Sequence, residues 1–271
     1  HRQAQDALRR LLGDGRVSRT RAEALAIEAH EVHGAVVHVG AYAGRAQANF
    51  GYITAANKKW LAAGLPEYPF DPAKAKALLK EIGIMDRNGN GILEDAQGNE
   101  IEFTFNTNTG NSNRDRIAVI VQADLKKIGI KVNYQPIEFN TLISRINDTY
   151  EYECVLLSLG GGSTDPSSSM NVLKSDGYTH EWFPKQKSPS TPWEARMDQL
   201  MDEQHKTLDF AKRKALFDEV QQIMSTQVPL IYTVSPMSYV AVRNDLGNLR
   251  PSVLSYFRIS WNAEELYFKK K

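Results

Sequence analysis

Cysteine is almost missing. Cys154 is the only one in 271 residues, so no disulfide can form within the chain. That fits a reducing compartment or a large exported domain that needs no covalent staples. Its surroundings, ECVLLSL (153–159), are apolar. A reactive thiolate needs an electropositive, accessible setting, so Cys154 reads as a buried inert thiol and not as a nucleophile. Long hydrophobic runs are absent too. The longest, VPLIY (228–232) and CVLLSL (154–159), fall far short of the roughly 20 apolar residues that span a bilayer. Charge of one sign is also lacking: 33 basic and 32 acidic side chains leave +1. That excludes the strong field that draws a protein to nucleic acid or an anionic membrane, and no nucleic-acid partner is expected. Residues 1–41 contain no Phe, Trp or Tyr. Their opening, HRQAQDALRRLL, has neither a sustained apolar core nor a cleavage site, so it does not read as a secretory leader.

From YAGRAQANFGYITAANKKW (42–60) onward, aromatics, Gly and Pro appear and a regular pattern begins. FDPAKAKALLKEIG (70–83) predicts a helix with Asp71 as N-cap, Pro72 in its first position and Gly83 at its exit. Ile101, Phe103 and Phe105 alternate with polar residues and predict a half-buried strand. NRDRIAVIVQADLKKIG (113–129) predicts a helix whose apolar stripe is interrupted by Asp124, read as the stripe's edge or a local ion pair. IKVNYQPIEF is read as a strand, NTLISRIND as a short helix and EYECVLLSLG as an apolar strand. The β-α-β-α-β order favours a parallel or mixed sheet covered by helices, an α/β fold. A long polar loop runs from Gly160 to about Pro192, and loops of that length in compact proteins are usually functional. Helices starting near Trp193 and after an Asp209 cap follow, and then strand-like PLIYTVSP and SYVAVRN.

Four places invite a chemical reading. DRNGNGILED (86–95) follows the spacing of an EF-hand loop, which takes oxygens at positions 1, 3, 5, 7, 9 and 12 and Gly at 6. Asp86, Asn88, Asn90, the Ile92 carbonyl and Glu94 fall on that pattern, with Asp95 as a substitute ligand. Gln97 stands where a bidentate Glu is needed, and a strand follows where an EF-hand has its second helix. The loop is therefore either one structural calcium site or a tight turn held by Asn and Gly; no cofactor is required for either. His30 and His33, with His38 nearby, are spaced i, i+3, not the i, i+4 of the zinc-protease helix, and read as surface histidines. GGGSTDP (160–166) is no phosphate loop, since no Lys-Ser or Lys-Thr follows. It does leave an apolar strand, where open α/β sheets gather ligand contacts, and it reads equally as a flexible turn with Asp165 capping the next segment. Trp182, Phe183 and Trp193 are aromatics in or beside a polar loop, fit either for stacking a ligand or for anchoring the loop. No Ser/His/Asp set or paired carboxylates stand out, so an enzyme is not expected.

The ordered series of segments carries a resemblance. YPFDPAKAKALLKEIG, an Asp/Asn/Gly turn, IEFTFNTNTGNSNRDRIAVIVQADLKKIGIKVNYQPIEFNTL and a strand running into Asp165-Pro166 come first. TPWEARMDQLM, RKALFDEVQQIM and QVPLIYTVSP follow. Together they resemble the C-terminal half of the extracellular solute-binding proteins of family 5, the dipeptide- and oligopeptide-binding components of bacterial ABC importers. The resemblance covers roughly residues 42–271. It implies a type II periplasmic-binding-protein-like lobe, a mixed sheet flanked by helices, over 42–235. Residues 236–271 would be a return segment belonging to the other lobe, and 1–41 remain poorly assigned and helix-favouring.

It further implies a two-lobed clamp that binds a peptide or oligosaccharide and serves a membrane permease, in the periplasm or at the cell surface. On this reading Asn106, Thr107, Gly161, Gly162, Ser163, Thr164, Asp165 and Trp182 form the ligand face. Peptide binders of the family carry an Arg, a Trp and an amine-anchoring Asp along this segment. Here those positions hold Leu156, Leu159 and Gly162, so a free di- or tripeptide loses its ionic anchors. A calcium-stabilised structural or interaction module is the reading from another class.

Overall fold

The computed structural model describes residues 41–159, 164–251 and 261–269. In chain order these form β1 (Ala46–Ala48), α1 (Pro72–Glu81), β2 (Glu102–Asn108), α2 (Ser112–Lys127), β3 (Lys131–Ile137), α3 (Phe139–Ser144) and β4 (Cys154–Val155). Then come α4 (Met170–Leu173), α5 (Pro192–Lys206), α6 (Phe210–Gln227), β5 (Val234–Pro236), β6 (Leu246–Gly247) and β7 (Tyr267–Phe268).

The helix caps follow local chemistry. Asp71 accepts the Lys74 amide at 2.9 Å, Pro72 opens α1, and Gly83 leaves it at φ +83°. Asp209 caps α6 through the Lys212 amide at 2.8 Å. Thr191 and Glu194 close a reciprocal capping box on α5. Asp71→Ala should lower stability by about 1 kcal/mol, the usual loss for an N-cap carboxylate; urea denaturation is the measurement, and no change would mean that α1 is held by packing alone.

β2 is the centre of a parallel sheet of order β3-β2-β4. Phe103 and Phe105 of β2 are buried in a core with Leu79 of α1 and with Leu125 and Ile128, in and just after α2. Pro136 sits in β3, an edge strand, where a missing N–H costs no ladder bond. The chain steps from β2 to β3 on one side, then passes back over β2 to β4 on the other. Right-handed crossovers with that reversal put α2 and α3 on opposite faces and create a switch point between β2 and β4. A second core joins α5 and α6 to Trp60 through Met197, Leu200, Met201, Phe217, Val220 and Met224.

Two strands are shorter than their apolar runs suggest. EYECVLLSLG yields only Cys154–Val155. At its start the Glu153 carboxylate takes the Thr104 amide in place of a ladder bond. Beyond it the pairing continues through the Leu156 amide to the Asn106 carbonyl at 2.9 Å. PLIYTVSP yields only β5, and SYVAVRN yields no strand; among the described residues it has no neighbour to pair with, and Tyr239, Val240 and Val242 remain exposed. The thiol of Cys154 packs against the sheet core, and burial pushes it up to about 12. Asp124 is buried and paired with Lys127 at 2.6 Å, the local pairing its place in the stripe suggested.

Candidate ligand-binding site

The C-terminal ends of β2, β3 and β4 lie along one edge of the sheet, which is the edge where open α/β sheets receive ligands. Asn106 and Thr107 stand there at the switch point, 1% and 0% exposed. Their side chains tie strand to strand. The Asn106 amide donates to the Gln135 carbonyl of β3 at 2.8 Å, and the Thr107 hydroxyl donates to the Leu156 carbonyl at 2.8 Å. They fix the edge on both sides of β2. Phe139, which opens α3 just past β3, and Leu159, beyond β4, stay 46% and 45% exposed. Glu138, just before Phe139, is occupied in capping α3 through the Asn140 and Thr141 amides.

Gly161, Gly162 and Ser163 fall outside the described residues, as do His30, His33 and His38. Thr164 and Asp165 are described, and their surroundings are dense. The Thr164 carbonyl accepts the Asn57 side-chain amide at 3.1 Å. Asp165 caps the short turn Pro166–Ser169 through the Ser167 amide. Both of its oxygens also receive the Arg213 guanidinium, at 2.9 and 2.8 Å. That fork is the main reason the Asp165 carboxyl is held down to about 2; burial works against it, and the Ser167 amide assists.

Trp182 is partly buried, 6.4 Å from Trp193, with its indole N–H donated to Glu194 at 3.3 Å. Glu194, 3% exposed, is the hub of the loop that precedes α5. Besides Trp182 it accepts the Gln186 side chain at 3.2 Å, the amide and hydroxyl of Ser190, and the amide and hydroxyl of Thr191. His180 lies beside it, with Nε2 3.6 Å from Oε1. Burial alone would raise the Glu194 carboxyl. The donors from His180, Ser190, Gln186 and Thr191 reverse that and hold it at about 2. Sequence reasoning missed this hub as a site, although its Thr-x-x-Glu spacing is a capping-box signal. Arg213 and Asn57 had no signal at all, since their partners lie 48 and 107 residues away.

The Asp86–Asp95 loop is a web of its own turns. The Asp86 carboxylate accepts the Gly89 and Gly91 amides at 2.7 and 2.9 Å. Asn88 and Asn90 accept the amides two residues on. The Asn88 side-chain amide meets Glu94, which also takes the Arg87 amide. Asp95 accepts the Gln97 and Asn99 amides. The Ile92 carbonyl has no role that the geometry distinguishes. Among the described residues no group of three or more His, Cys, Asp or Glu is placed to hold a metal. None of the described helices is long and apolar enough to cross a membrane.

The sheet is parallel, with its switch point between β2 and β4 at the C-terminal edge, the place at which open α/β sheets of other proteins receive ligands. The particular family follows from comparison with known proteins. The profile described as "Bacterial extracellular solute-binding proteins, family 5 Middle" matches residues 24–181, more than half of the chain. The chain belongs to this family. It is similar to a probable ABC transporter-binding protein of Deinococcus radiodurans, 31% identical over 184 residues. It is also similar to the oligopeptide-binding protein AppA of Bacillus subtilis, 29% identical over 187. These alignments take in 64% and 67% of the chain but only 31% and 32% of the relatives.

Among solved structures, AppA of Bacillus subtilis in complex with a nonapeptide superposes with a TM-score of 0.75 at 22% identity. It covers 93% of this chain and 48% of that one. The periplasmic binding protein MelB of Agrobacterium fabrum, in complex with stachyose, gives 0.75 at 18%, covering 86% and 35%. These likenesses establish the fold, a type II periplasmic-binding-protein lobe.

Proposed function

We propose that this chain is the ligand-gripping lobe, with its return segment, of the substrate-binding component of an ABC importer. It has no catalytic step; an exported bacterial protein would present it to a membrane permease. The observation that carries this reading is the antiparallel pairing of β1 with β5, Ala46 opposite Pro236 and Ala48 opposite Val234. The chain enters and leaves the lobe side by side, which is the geometry of a hinge between two bodies. Beyond β5 the return segment carries Met237 and Tyr239 at 54% and 67% exposed, an apolar surface suited to a second lobe.

The ligand in this reading is a peptide, or a related small solute held by backbone hydrogen bonds and apolar contact. Leu156, Leu159 and Gly162 leave this jaw without the ionic anchors of a short free peptide. An oligosaccharide is the second reading, favoured by the likeness of fold to a stachyose-bound protein. A thermal-shift screen separates them. Peptides longer than three residues should raise the melting temperature, by the usual linkage of ligand to the native state. A rise with oligosaccharides alone would establish the second reading, and none with either class would defeat both.

The Asp86–Asp95 loop is read as a clip between α1 and β2, its oxygens accepting the backbone N–H groups of its own turns. Asp86→Ala should lower the melting temperature by the same amount in excess calcium and in chelator. A calcium-dependent rise of several degrees in the native chain, abolished by Asp86→Ala, would make the loop a calcium site.

A further inference from the structure

Asp165 lies six residues beyond the exposed Leu159, and the contacts that hold it come from distant parts of the chain. We infer that Arg213 is a positioning residue for the proposed ligand site: its guanidinium fixes the Thr164–Ser167 segment against α6 and against the stretch that follows β1. The inference rests on the solute-binding reading. It assigns a role to a side chain that touches no ligand itself.

Arg213 sits in the first turn of α6, its amide bonded to the Asp209 carbonyl that starts the helix. Its two terminal nitrogens engage both oxygens of Asp165. One of them also reaches the Ser167 hydroxyl at 3.1 Å and Gln204 Oε1 at 2.8 Å. Gln204 is fully buried in α5 and returns a bond to the Ser167 hydroxyl. The guanidinium lies 5.2 Å from the centre of the Trp60 ring. That ring is 3% exposed and meets the edges of Phe210 and Phe217 at 5.1 and 6.0 Å. The Trp60 carbonyl takes the Gln221 amide at 2.8 Å, while Asn57, three residues earlier, donates to Thr164. Three remote stretches therefore meet at one planar cation: the segment after β4, the stretch after β1, and helices α5 and α6.

The chemistry requires the plane and the fork. A lysine would keep the charge but offer a point donor that cannot grip two carboxylate oxygens, a hydroxyl and an amide while lying on an indole. Asp165 is 40% exposed at its side chain, and ion pairs that open to water add little to global stability. What the pair does is direct the backbone at Thr164, whose carbonyl the Asn57 side chain also holds.

The test uses the full chain carrying Arg213→Lys, followed by nitrogen-15 NMR, thermal melting and titration with a nonapeptide and with stachyose. The substituted chain should melt close to the parent. Its Thr164 amide, Asn57 side-chain amide and Trp60 indole signals should move. It should bind whichever probe the parent binds more weakly by roughly tenfold, the scale of one lost well-aligned polar contact. Ile117→Val, in a separate core, is the control for general loosening. Parent-like signals at Thr164 and Asn57 in the lysine variant would overturn the inference. So would a loss of binding no larger than that of Ile117→Val at equal melting temperature. If the parent binds neither probe the functional reading fails, while the Thr164 and Asn57 signals still decide whether Arg213 positions the segment.

Discussion

Glu194→Ala is expected to lower the stability of the chain by about 3 kcal/mol, because it leaves several buried donors without an acceptor. The Trp182 indole, the Gln186 amide and the backbone N–H groups of Ser190 and Thr191 all converge on this carboxylate. Glu194→Gln should lose less, since it keeps the shape and one acceptor oxygen, but its amide would face donors.

The acid side carries a sign. The Glu194 carboxyl lies at about 2 against an ordinary value of 4.5, so its tie contributes stability above the ordinary value. That contribution fades as pH falls from there toward about 2. Asp165, also held at about 2, should release Arg213 over the same acid range. Urea denaturation of parent and Glu194→Gln at descending pH measures this. Curves that converge in acid support the hub, and a constant gap would show that Glu194 acts only through packing.

Phe217→Ala should lower stability by about 4 kcal/mol through the cavity it opens. Phe217 is fully buried among the Met and Leu side chains of α5 and α6 and faces the Trp60 ring. Since whole domains are stable by only about 5–15 kcal/mol, a loss of this size leaves the chain close to unfolding. The β2 core around Phe103 and Phe105 shares none of these side chains. Hydrogen exchange in the variant should therefore accelerate first in α5 and α6, with β2 amides protected longer. Equal acceleration in β2 would mean the two cores unfold as one.

The legible parts of this fold are those whose cause is local. Asp71-Pro72 and Asp209 announce their helices because a cap is satisfied within three residues. Phe103 and Phe105 announce a strand because the pleat alternates, and the β-α-β-α-β order gives the parallel sheet. The illegible parts depend on distant partners. Nothing around Glu153 says that its side chain will replace a ladder bond to Thr104 and shorten β4. SYVAVRN has the β-branched and aromatic side chains of a strand, but among the described residues no strand pairs with it. Trp182 in a polar loop could stack a ligand or anchor the loop, and only the indole bond to Glu194 shows how it is held. Asn106 and Thr107 lie at the strand end as read, but their polar groups are turned to neighbouring strands. Arg213, the centre of the contacts at Asp165, is one Arg among the many charges of an ordinary helix.

The ligand is proposed to sit at the C-terminal edge of the parallel sheet. Nitrogen-15 NMR of the chain during titration with a nonapeptide tests it most directly. Shifts should be concentrated at Asn108, Phe139, Leu157 and Thr164, with the Asp86–Asp95 loop unmoved. Shifts confined to that loop or to the far ends of the strands, or none at any concentration of peptide or stachyose, would contradict it.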